Sequence, residues 1–152
     1  MRDLIRATLI LSFTLSLLVF TGFGSAHPTP VIAMSAAEGI AKHIEMLRSG
    51  KAQQKAAAAY WLGQQHSAAA AAVDPLVDLL GDASEVQPSQ YRPKGILQKL
   101  TLGEEVAAAL VNIGHPSIEP LIHVLKTSPD AEARKNAAWA LGALHDSGAT
   151  II

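Results

Sequence analysis

From Ser35 onward the apolar positions recur at helical spacing, and three stretches of the chain repeat one another. Lys55-x-x-Ala58-Ala59-Tyr60-x-Leu62-Gly63, Val106-x-x-Ala109-Leu110-Val111-x-Ile113-Gly114 and Arg134-x-x-Ala137-Ala138-Trp139-x-Leu141-Gly142 superimpose without gaps. A second pattern follows the first two: Val73-Asp74-Pro75-Leu76-Val77-x-Leu79-Leu80 matches Ile118-Glu119-Pro120-Leu121-Ile122-x-Val124-Leu125 at an offset of 45 residues. The unit is an Ala-rich helix closed by Gly, a turn, a Pro-initiated helix and a loop. Gly114 and Gly142 are 28 residues apart and Gly63 and Gly114 are 51 apart. Insertions of six residues before Pro75 and seventeen after it account for the difference. Units of this length stack on one another, which predicts an elongated binding surface rather than a catalytic pocket.

Local signals place the helices at 36–48, 52–65, 70–81, 102–113, 117–127 and 129–145. Ser35-x-x-Glu38 and Thr101-x-x-Glu104 read as capping boxes, and Ser128-Pro129 as an N-cap followed by Pro at the first helical position. Ile40, Ile44 and Leu47 form one face up to Gly50, and the last two match Ile122 and Leu125 at an offset of 78, so this helix reads as a lone second helix capping the stack. The repeat alignment implies helices only, and no appreciable strand is expected. After Gly142 the unit calls for a Pro-initiated partner that Ala143 to Ile152 does not complete. Leu141, Leu144 and Trp139 are therefore expected on an apolar end that stays exposed, is covered by a partner, or belongs to a truncated gene product. Arg134 and Asn136 supply part of a polar outer face there. The simplest cover is the same end of a second copy, giving weak self-association through the C-terminal helix.

The motif from Ala109 to Leu125, followed by Arg134-x-x-Ala137-Ala138-x-x-Leu141-Gly142, resembles the short HEAT-like repeat of the phycobilisome-lyase type. The resemblance covers about 40–146 and is best from Glu104 to Gly142. It implies an all-α solenoid of antiparallel helix pairs, wound as a right-handed superhelix with the Pro-initiated helices on the concave side. Residues 36–148 are thus one repeat domain with an inserted loop at about 82–100. The scaffold by itself does not fix a function.

Composition agrees with a helical stack. Hydrophobic residues make up 49% of the 152-residue chain but aromatic ones only 5%, so a thin Ala-rich core must rely on neighbouring units. Arg2 and Arg6 precede an uncharged apolar run over 7–23, and Gly24-Ser25-Ala26 offers small residues at a cleavage site. Residues 1–26 therefore read as a secretory signal, with an uncleaved membrane anchor at 7–23 as the alternative. Export, periplasmic or extracellular, is the expectation. Without the first 26 residues, ten basic and twelve acidic side chains leave a net charge of −2, which makes nucleic acid an unsuitable partner. The absence of Cys excludes disulfides and thiol chemistry.

Candidate chemistry is sparse. His66, His115 and His145 follow the repeat glycines but lie in different units, too far apart to share a metal ion, and no metal-binding spacing occurs. No nucleophile stands near a base, so no catalytic residue and no cofactor is assigned. Asp74, Asp78 and Asp82 at i, i+4, i+8 form an acidic ridge if all three are helical: a docking site for basic groups, a weak cation site or a solvated helix face. Glu104 and Glu105 are explained by the helix dipole. Glu119 and His123 lie on the expected concave side. The insertion carries Tyr91, Arg92 and Lys94 between two prolines, a binding element or an inert surface loop. Tyr60, Trp61 and Trp139 read as packing residues. The chain thus reads as a non-catalytic protein-interaction scaffold, with Tyr91, Arg92, Lys94, Asp74, Asp78, Glu119 and His123 as partner-binding candidates. The alternatives are a subunit of an enzyme related to phycobilin lyases and a remnant without activity.

Overall fold

The computed structural model describes residues 31–93 and 98–148. The N-terminal segment read as a signal or anchor, Lys94 and Ala149 to Ile152 lie outside the described residues. Six α-helices dominate: α1 Val31–Ser49, α2 Ala52–Gly63, α3 Val73–Val77, α4 Leu102–Ile113, α5 Ile118–Thr127 and α6 Ala131–Asp146. They form two layers. Helices α2, α4 and α6 stack side by side, while α1, α3 and α5 pack behind them, each against the first helix of the next unit. The fold is an all-α solenoid. Among the described residues, no helix is long and apolar enough to cross a membrane.

The close approach of α2 and α4 follows from their small residues. Ala56, Ala58, Ala59 and Leu62 of α2 are buried, as are Val106, Ala107, Ala109 and Leu110 of α4. At Gly63 an added Cβ would stand 3.1 Å from Ala109 Cα, so the spacing leaves no room for a larger residue without movement. Gly114 ends α4 at φ 87°, a left-handed turn that favours glycine.

Helix starts are set by caps. Thr101 and Glu104 form the expected capping box: Thr101 Oγ1 accepts from Glu104 N at 3.2 Å, and Glu104 Oε2 accepts from Thr101 N at 2.8 Å. Two other expected caps are corrected. Ser35 lies inside α1, which begins four residues earlier at Val31. At α6 the cap is Asp130 rather than Ser128, with Oδ1 accepting from Glu132 N at 2.9 Å. Ser128 Oγ instead accepts from Asp130 N at 3.2 Å.

The expected helix at 70–81 is also corrected. Residues 66–72 form a 3-10 segment kinked at Ala69, and α3 lasts only five residues. Beyond Val77 the chain continues by three-residue turns, with Leu79 N donating to Leu76 O at 2.9 Å and Asp82 N to Leu79 O at 3.1 Å. The cause is tertiary. Leu80 O accepts from Asn136 Nδ2 of α6 at 2.7 Å, and Gly103 lies so close that a Cβ would meet Leu80 O at 2.3 Å and Asn136 Nδ2 at 2.7 Å. Asn136 is therefore buried, not part of a polar outer face. Leu144 is fully buried as well, so it does not belong to an exposed end.

The insertion contributes two short strands, β1 Glu85–Val86 and β2 Leu100–Thr101, paired antiparallel with Glu85 opposite Thr101. At two residues each they leave the fold all-α, as expected. The hairpin forms because Val86 is buried and the strand ends lead straight into α4, with Leu102 N donating to Ser84 O and Gly103 N to Asp82 O, both at 2.9 Å.

Candidate binding surface

The described part of the insertion up to Arg92 comes back to the solenoid rather than standing away from it. Gln53 of α2 makes two bonds to Gln87, its Nε2 donating to the carbonyl and its Oε1 accepting from the amide, both at 2.9 Å. Pro88 is buried. Tyr91 and Arg92 then converge on Glu105, which is only 1% exposed. Tyr91 Oη donates to Glu105 Oε2 at 2.9 Å, and Arg92 Nη2 donates to Oε1 at 2.7 Å and to Oε2 at 2.8 Å. The guanidinium also lies over Tyr60, 5.1 Å from its ring centroid, and Tyr60 and Tyr91 contact at 5.8 Å in a tilted pair. Burial, reinforced by the Glu105 charge, raises the Tyr91 phenol above its ordinary range. These side chains are engaged inside the molecule rather than presented on a free loop.

Folding the insertion down creates a groove of about 400 Å³ on the face of the α2, α4, α6 layer. Arg92 and Leu100 form one wall, Glu104 and Ala108 of α4 the floor, and Lys135, Asn136 and Trp139 of α6 the other wall. Lys135 is paired with Glu132 one turn away, and that hydrogen bond holds its ammonium above the usual lysine range, Glu104 adding to the effect. At the rim stands Trp139, 56% exposed. Expected both as a packing residue and on an exposed apolar end, it meets no further helix among the described residues: the same repeat position is Tyr60 in α2 and Val111 in α4, both half-buried. Trp61 does pack, stacked on His43 with ring centroids 4.0 Å apart.

The remaining sequence candidates lie elsewhere. Asp74 and Asp78 line a separate cavity of about 280 Å³ together with Arg48, Lys55 and Leu79. Because α3 stops at Val77, no three-residue acidic ridge forms, and Asp82 instead accepts from Ser84 N at 2.9 Å. Glu119 and His123 are exposed one turn apart on α5. These four belong to the layer of α1, α3 and α5, so the structure does not join them to Tyr91 and Arg92. His66 Nδ1 lies 3.0 Å from Asn112 O, and His115 and His145 are exposed. Among the described residues, no three His, Cys, Asp or Glu side chains gather as metal ligands.

Residues 113–144 match the Armadillo/beta-catenin-like repeat family, a stretch that runs from the end of α4 through most of α6. The chain is a helical repeat protein. The match covers about a fifth of its length, and comparison with curated proteins and with solved structures gave no significant match. The matched stretch includes the groove wall that carries Trp139.

Proposed function

We propose that this repeat protein is an exported, non-catalytic interaction scaffold whose partner binds at the outer edge of α6 and the groove beside it. One observation carries the reading: a tryptophan is held 56% exposed on a helix at the rim of a groove that mixes apolar and charged side chains. Tryptophan is enriched among residues that dominate binding energy, and one projecting from a helix loses little conformational freedom when a partner covers it. Armadillo-like repeats generally mediate protein interactions, which supports a protein as the partner. The net charge of −2 on residues 27–152 argues against nucleic acid. Arg2, Arg6 and the apolar run support export, with retention of residues 7–23 as a membrane anchor as the alternative.

A photoreactive phenylalanine analogue at position 139, installed in the expressing cell, tests the proposal. The expected result is a crosslink to another polypeptide that is absent when the analogue replaces exposed Gln64. Equal crosslinking at both positions, or none, overturns the assignment. N-terminal sequencing of the recovered chain tests export: a start at or shortly after His27 is expected, and a retained Met1 on membrane-bound protein contradicts cleavage.

A further inference from the structure

The repeat register shows what the edge of α6 is shaped to receive. On α2, the positions Ala56, Ala59 and Gly63 are buried, and Gly63 lies against Ala109 of α4. On α4, the equivalent positions Ala107 and Leu110 are buried, and Gly103, one turn earlier, lies against Asn136 of α6. The same register on α6 gives Lys135, Ala138 and Gly142, and all three are exposed. No heavy atom comes within 4 Å of a Cβ built on Gly142. Among the described residues, the surface that twice accepts a neighbouring helix inside the stack is open here. Lys135, Trp139, Gly142 and Asp146, spaced i, i+4, i+7, i+11, form one exposed stripe along it.

We infer that this stripe pairs with the stripe of a second copy, α6 running antiparallel to α6 about a two-fold axis between Trp139 and Gly142. The inference rests on the reading of α6 as the interaction edge and names its occupant. A single register satisfies two complementarities. The Trp139 ring enters the open space over Gly142 of the second copy, and Lys135 meets Asp146 of the second copy. The two-fold axis makes each contact twice. Parallel pairing would instead oppose Lys135 to Lys135 and Trp139 to Trp139. A sixteen-residue helix is about 24 Å long and about 10 Å wide. The area covered per copy is therefore a few hundred Å², below the roughly 800 Å² of a standard interface, and the pair is weak and concentration-dependent.

Sedimentation equilibrium of the chain as recovered from the expressing cell tests this. A reversible monomer–dimer equilibrium is expected. Lys135→Glu and Asp146→Lys should each weaken it about tenfold, since each change affects two exposed ion pairs, and the double variant should recover most of the loss. Gly142→Leu should leave the helical spectrum intact and abolish dimers. A monomer at the highest concentration, a dimer indifferent to Gly142→Leu, or a double variant that does not recover overturns the pairing. Monomeric behaviour together with a crosslink from position 139 to a different polypeptide overturns the second copy alone. Monomeric behaviour with no crosslink overturns the interaction edge as well.

Discussion

Replacing Arg92 with Ala should destabilise this protein far more than a loop substitution ordinarily does. The change leaves the Glu105 carboxylate, 1% exposed, with the Tyr91 hydroxyl as its one remaining side-chain donor among the described residues. Breaking a buried ion pair from one side costs about 3–5 kcal/mol. Arg92 is 20% exposed, so its removal lets water approach the carboxylate and lowers that figure, while loss of the cation–π contact with Tyr60 restores part of it. About 3 kcal/mol is expected. In urea, with a slope of about 1.5 kcal/mol per molar, the unfolding midpoint followed by far-ultraviolet circular dichroism should fall by about 2 M. The pair itself is poorly arranged. One nitrogen serves both carboxylate oxygens, and Arg92 Nε is buried without a partner among the described residues. The joint replacement Arg92→Met with Glu105→Leu should therefore lie within about 1 kcal/mol of the unmodified chain. A shift below about 0.3 M for Arg92→Ala, or a double variant as unstable as the single one, would refute a latched insertion.

Three further outcomes follow from the same geometry. Because the Tyr91 phenol is raised in the folded state, folding favours its protonated form; stability should be level below about pH 10 and fall as pH rises further, and Tyr91→Phe should flatten that decline in alkaline unfolding curves. Asn136→Ala removes the donor to the Leu80 carbonyl and should cost about 1–3 kcal/mol by denaturant unfolding, in contrast to the near-zero effect of an outer-face substitution. Gly142→Ala meets no atom within 4 Å in a helical backbone and should raise stability by about 0.5–1 kcal/mol; destabilisation would mean that something already packs on that edge.

The helices α2, α4, α5 and α6 were legible to within two residues because their starts, glycines and apolar spacing are local. α3 was not. Val73 to Leu80 carries the same motif as α5, but Leu80 O is captured by Asn136 and the turn is packed against Gly103, contacts from residues far along the chain. The Glu105 cluster was missed although a signal was present. Glu105 lies on the apolar face of α4 with Leu102, Val106 and Ala109, where a helix-dipole role does not require burial, and the insertion supplies Arg92 and Tyr91 to satisfy it. Trp139 was read both as a packing residue and as part of an apolar end without its partner helix; at 56% exposed among the described residues, it fits the second reading. Asn136 was misplaced because its equivalents are Ala57 and Ala108, and only the third unit faces the Leu80 turn.

The interaction edge is tested most directly by collisional quenching of Trp139 in a Trp61→Phe background, measured across protein concentration and with captured partner. In the dilute chain, quenching should be that of a largely exposed indole, and it should fall when a second copy or another protein covers α6. An indole already shielded in the dilute monomer, or one equally quenched with partner bound, would contradict the account.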